Sequence, residues 1–128
     1  MSNQVTVFVP RETSAVSLGA HDVAEKLAAV ENVNVVRNGS WGASWLEPLV
    51  EVVVGDDRIA YGPVEVGDLD SLLEAGFLTG GKHPLCLGPI SEIPYLKNQE
   101  RWTFWRCGLI DPISIADFQA HKGFAGLQ

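Results

Sequence analysis

Any thiol, metal, nucleophilic or acid–base chemistry in this 128-residue chain would have to come from two cysteines, three histidines, scattered serines and a few grouped carboxylates. Cys86 and Cys107 are 21 positions apart and form no C-x-x-C, so they read as two reduced thiols, one or both buried, and not as a redox pair. His21, His83 and His121 are too dispersed to read as a metal trio: the first lies in a helix, the second in a proline-rich tract, the third near a helix end. Ser40 and Ser44 have no His or Asp at a recognisable spacing, so no activated nucleophile is expected. Among the carboxylates Glu47, Glu51, Asp56 and Asp57, the last two form a turn and Glu51 reads as the solvent-facing member of a strand. Gly80-Gly81-Lys82 follows a helix instead of opening one, so it reads as a C-terminal cap and not a phosphate loop, and no G-x-G-x-x-G occurs. The sequence therefore predicts no catalytic, cofactor-binding or metal-binding residue.

Composition narrows the partners. A net charge of −7, with nine scattered Lys and Arg, lacks the basic face that nucleic acid requires. An apolar fraction of 46% and a mean hydropathy of +0.10 fit one folded domain. No apolar run approaches the ~20 residues of a membrane span. The start, Met1-Ser2-Asn3-Gln4, lacks the basic and long apolar regions of a signal peptide, so a cytoplasmic location is expected.

The elements that must hold these residues follow from periodicity. Val5–Val9 reads as a strand halted by Pro10. Thr13 or Ser14 can cap a helix whose inner face is Ala20, Val23, Ala24, Leu27 and Ala28, and Val33–Val36 is a second strand. After an irregular stretch over 37–48, Leu49–Val54 and Arg58–Tyr61 form a hairpin about Gly55-Asp56-Asp57. Asp68 then caps a helix carrying Leu69, Leu72, Leu73 and Phe77, closed by Gly80-Gly81. The result is an α/β, thioredoxin-like layout: β-α-β, then β-hairpin-α, over residues 1–81. Residues 82–128 read as a proline-rich extended linker, then a short helix capped by Ser114 with Asp117 in a capping box. The chain stops at Gln128 after Phe124-Ala125-Gly126-Leu127 with no stop signal, so it is expected to continue into a further domain.

Ser40-Trp41-Gly42-Ala43-Ser44, followed by Leu46-Glu47-Pro48-Leu49-Val50, resembles the C-x-G-x-C…P-V segment of thioredoxin-like [2Fe-2S] ferredoxins. Tyr61-Gly62-Pro63-Val64 resembles their Y-G-x-V after the hairpin. The resemblance maps the four cluster-ligand positions to Pro10, Ala15, Ser40 and Ser44, none of which carries a thiol or an imidazole. The blocks Val36–Ser40, Trp45–Val52, Ile59–Val64, Ile93–Arg101 and Ile110–Ser114 are most similar to the N-terminal domain of the beta (diaphorase) subunit of soluble, NAD-dependent molybdenum or tungsten formate dehydrogenases.

That resemblance implies a degenerate, cluster-less ferredoxin domain, related to complex I flavoprotein subunits and placed ahead of a flavin domain. FMN, NAD and a [4Fe-4S] cluster would be bound elsewhere in the parent subunit, which is an oxidoreductase although this stretch alone is not an enzyme. The implied partners are the flavin domain of the same subunit and the gamma (ferredoxin-like) and alpha subunits, with no nucleic acid and no membrane. Alternatives are the equivalent domain of an NAD-reducing hydrogenase or complex I, and an active [2Fe-2S] electron carrier. Trp41 and Trp45 either fill the volume of a lost cluster, the favoured reading, or anchor a neighbouring subunit. Tyr95, Trp102, Phe104 and Trp105 lie outside the thioredoxin-like unit and are expected to form the seam to the flavin domain.

Overall fold

The computed structural model describes residues 4–127. The expectations at Met1-Ser2-Asn3 and beyond Gln128 therefore fall outside the described residues. β-Branched runs give strands β1 (Val5–Phe8), β2 (Val33–Val36) and β3 (Val50–Val54), with β4 (Asp57–Tyr61) completing the hairpin. A fifth strand, β5 (Cys86–Pro89), lies inside the tract read as extended linker, so the sheet is completed by residues past 81. The order is β2-β1-β3-β4-β5, parallel only between β1 and β2. The α/β, thioredoxin-like fold class expected from the sequence is the one observed.

The first helical stretch is two helices, not one: α1 (Thr13–Ser17) and α2 (Ala20–Ala28). The chain breaks at Gly19, whose φ of +97° a side-chain-bearing residue rarely adopts. Neither Thr13 nor Ser14 caps α1. Glu12 does, its carboxylate accepting from the Ser14 and Ala15 amides at 2.8 Å each. Burial pushes the Glu12 carboxyl upward, but the hydrogen bonds from Ser14 and Ala15 outweigh it and hold the group below its ordinary value. Glu12→Ala is expected to cost about 1 kcal/mol, read as a shifted urea midpoint.

Helix α3 (Leu69–Glu74) packs against α2, joined at the surface by Lys26–Asp70 at 2.8 Å. Asp68 does not cap α3. Its carboxylate instead accepts from the Glu65 amide in a capping box around the preceding 3₁₀ turn. Val7, Val52, Tyr61, Val23, Leu27, Leu72 and Phe77 form one core between this helical layer and the sheet. Phe8, Glu51, Ala60 and Gly88 sit opposite one another in a single cross-strand row, one residue out of phase with Val7 and Val52, and so face the other way.

That second face is covered too. The 3₁₀ turn Ile90–Glu92 and helix α4 (Pro94–Lys97) lay Ile93 and Leu96 over Leu49 and Ala60, with Trp41 against the same cluster. Helix α5 (Ile115–Ala120) is capped by Ser114, which accepts from the Asp117 amide at 3.1 Å. The reciprocal half of the expected capping box is absent, because the Asp117 carboxylate accepts from Asp111 N–H at 2.9 Å.

Candidate functional site

Two loops at one end of the sheet carry the positions singled out by sequence. They are bonded to each other: Arg11 N–H donates to Asn38 C=O at 2.9 Å, and Arg37 donates to the carbonyls of Val9 and Pro10 at 3.1 and 3.0 Å. Ala15 is fully buried in the helical core and Pro10 is buried as well. Ser40 is half-buried, its Oγ accepting from Gly42 N–H at 2.9 Å and donating to Glu47 at 3.4 Å. Ser44 is exposed at the start of the 3₁₀ turn Ser44–Leu46.

Two glutamates are buried at this end of the molecule. Glu47, 3% exposed, precedes the cis Pro48 and accepts from Leu49 N–H at 2.8 Å. Burial first, with Glu12 and Glu51 nearby, raises its pKa to about 7. Glu51 is wholly buried, which corrects the solvent-facing reading: its strand face lies beneath the C-terminal segment. Its Oε2 accepts from Trp41 Nε1 at 2.9 Å and Asn38 Nδ2 at 3.0 Å, and burial pushes its pKa up. The signal for this was in the sequence: Leu49–Val54 is apolar on both parities, as in a strand covered on both faces.

Residues 101–111 form a strap over this cluster. Arg58 donates to Gly108 and Leu109 carbonyls at 3.2 and 2.8 Å while its guanidinium stacks on Phe8, 3.6 Å from the ring centroid. Asn38 Nδ2 donates to Gly108 C=O at 2.8 Å, Gly39 N–H to Ile110 C=O at 3.1 Å, and Arg11 to Asp111 at 3.0 Å. Arg101 donates to the Trp41 carbonyl at 3.1 Å. The segment expected to turn toward another domain is thus tied by its backbone to this one, while Trp102 (78%) and Phe104 (65%) remain exposed.

With Trp41, Tyr95, Arg101 and Cys107 these two aromatics line an open groove of about 740 Å³. Trp41 is partly buried against the Leu49, Ala60, Ile93 and Leu96 cluster, whereas Trp45 is exposed and stands edge-on to Tyr95 at 4.7 Å. Trp105 turns away from the groove, toward Arg106 at 4.3 Å and His121 at 6.4 Å. Cys107 is exposed, whereas Cys86, half-buried in β5, packs against the main core. His21 meets Arg37 and His83 meets Ser71, far apart in the chain.

Among the described residues no three His, Cys, Asp or Glu side chains are grouped to hold a metal. Nor does a [2Fe-2S] cluster fit the two loops. Pro10 and Ala15 offer no donor atom, Ser40 is engaged with Glu47, and the Glu12 carboxyl, held below its ordinary value, is anionic where the cluster would add further negative charge. Among the described residues no helix is long and apolar enough to cross a membrane.

No protein-family model matches the chain, and no curated protein does. Solved structures do. A thioredoxin-like [2Fe-2S] ferredoxin from Aquifex aeolicus superposes with a TM-score of 0.54 at 22% identity, covering 68% of this chain and 93% of that one. A second structure of the wild-type ferredoxin gives 0.54 at 19% identity, covering 67% and 98%. The chain therefore has the fold of the thioredoxin-like [2Fe-2S] ferredoxins, extended by a segment that straps the second face of the sheet.

Proposed function

We propose that this chain is a non-catalytic docking and assembly domain, the N-terminal part of the diaphorase-type beta subunit of an NAD-dependent formate dehydrogenase in the cytoplasm. In this role it holds neighbouring redox centres within electron-tunnelling distance without carrying one. FMN, NAD and the [4Fe-4S] cluster belong to the rest of the parent subunit. The flavin domain and the gamma and alpha subunits are its partners.

One observation carries the reading. A ferredoxin fold is kept around loops without thiols, whose positions are taken by the chain's own bonds between Arg11 and Asn38 and between Ser40 and Glu47. What the chain offers outward is the aromatic groove, with Trp102 and Phe104 exposed on a segment bonded to the rest of the domain at Arg101, Gly108 and Leu109. Aromatic side chains on a rigid backbone suit a binding hot spot, since little conformational entropy is lost when they dock.

The test has two arms. Anaerobic reconstitution with iron and sulfide is expected to leave the chain without a stoichiometric [2Fe-2S] EPR signal. Binding of the full chain to the flavin-containing remainder of the beta subunit, followed by calorimetry, is expected to weaken tenfold or more in a Trp102→Ala, Phe104→Ala double variant with an unchanged circular dichroism spectrum. A stoichiometric cluster signal, or no measurable binding by the unaltered chain, overturns the proposal.

A further inference from the structure

Two buried oxygen atoms lack a hydrogen-bond partner, Oδ1 of Asn38 and Oε1 of Glu51, on two side chains already joined by Asn38 Nδ2 donating to Glu51 Oε2 at 3.0 Å. Unpaired buried acceptors are rare because each forfeits its hydration. Their partner atoms are fully used. Oε2 of Glu51 accepts from both Asn38 Nδ2 and Trp41 Nε1, and the second proton of Asn38 Nδ2 goes to Gly108 C=O at 2.8 Å. The group thus has two acceptors too many and is one donor short.

Arg58 fills the gap only in part, as an ion pair and not as a hydrogen bond. Its Nη1 stands 3.7 Å from Oε1, beyond hydrogen-bonding distance, and its guanidinium is committed to the Gly108 and Leu109 carbonyls. A fully buried carboxylate with an arginine alongside would ordinarily draw that arginine into direct contact. Here the arginine holds the strap instead.

We infer that Glu51 is held as the neutral acid, donating its proton from Oε1 to Asn38 Oδ1, and that this proton acts as the latch of the 101–111 strap. With the proton present, the acid and the amide satisfy each other and Arg58 stays on the strap carbonyls. When the proton leaves, Oε1 becomes a buried anion whose nearest cation is Arg58, so Glu51 and the strap compete for one guanidinium. Burial pushing the Glu51 carboxyl upward acts in the same direction. The charged groups around the pair are Arg58 on β4, Glu47 before β3 and, through Arg58, Asp117 on α5. Arg58 eases the ionisation of Glu51 and Asp117 acts on Arg58, but burial of the Glu51 carboxyl outweighs the arginine. The strap carries Trp102 and Phe104, so the latch also sets whether the groove is presented, though the inference does not depend on the docking role.

The experiment uses the full chain with ¹³C-labelled glutamate carboxyls, assigned by through-bond correlation and titrated by NMR. The Glu51 carboxyl carbon is expected at the shift of a protonated acid at pH 7, and an ionised Glu51 at that pH overturns the inference. Exchange of the Gly39 amide, bonded to the strap at Ile110, reports opening. After correction for base catalysis its opening equilibrium is expected to rise about tenfold per pH unit while Glu51 loses its proton on opening. In Glu51→Gln, whose amide reproduces the neutral acid, that dependence is expected to vanish. A strap that opens equally at all pH values in the unaltered chain overturns the latch, and because both readouts are made on that chain, a misfolded variant leaves the decision intact.

Discussion

Gly108→Ala is expected to destabilise the protein by about 2–5 kcal/mol and to release the strap. Two effects add. Gly108 sits at φ +86°, where an L-residue costs about 1–2 kcal/mol. A Cβ there would also stand 2.3 Å from the Trp41 ring, and relieving such overpacking costs about 1–3 kcal/mol more. The ring cannot retreat freely, because its Nε1 is bonded to Glu51. Gly42→Ala is the internal control: its φ of +87° is nearly identical, but a Cβ there meets nothing within 4 Å. Urea denaturation of the two variants separates backbone strain from the Trp41 contact. Equal losses would mean that the strap does not press on the indole.

The second large effect is on pH dependence. Glu47 has a folded-state pKa raised from 4.5 to about 7, so the folded protein binds its proton more tightly than the unfolded chain. The stabilisation is fully present below pH 4.5 and is lost as the pH rises through about 7, for a total of about 3 kcal/mol, after which stability is flat. The raised Glu51 carboxyl adds to the same fall, whereas Glu12, held low, gives stability that is lost only in acid. Urea midpoints at pH 5 and pH 8 should therefore favour pH 5. Glu47→Gln keeps an acceptor for Leu49 N–H and sets an amide toward Ser40, whose hydroxyl oxygen can then accept, and should shrink the difference by about 2–3 kcal/mol. If the variant retains the full slope, Glu47 is not the titrating group.

The β-α-β opening and the hairpin were legible because their signals are local: Val, Ile and Tyr runs bounded by Pro10, Gly55 and Asp56. What stayed hidden depends on contacts distant in sequence. Strand β5 contains Gly88 and Pro89, which a central strand would not tolerate, but among the described residues it pairs with β4 alone, and an edge admits proline. The Glu12 cap was obscured because Ser and Thr nearby are the preferred cap types. Glu51 looked exposed because a lone carboxylate in a strand usually faces solvent; Leu49 and Val53 on the same parity signalled a covered face, but not what covers it. The cover comes from residues 50 or more positions further on. The Y-G-x-V block was readable, and its glycine has a plain reason: a Cβ on Gly62 would lie 2.5 Å from the Leu46 carbonyl oxygen.

The strap also sets an order of events during synthesis. Its bonds join Arg11 to Asp111, Asn38 to Gly108 and Arg58 to Leu109, across separations of 100, 70 and 51 residues. Each closes a long loop, and the entropy of closing it is recovered only when its anchor points are already fixed relative to one another. Those anchors lie on β4 and on the loops that follow β1 and β2, so the sheet must exist before the strap can fasten. The aromatic face therefore reaches its final shape only on a domain whose sheet is already assembled.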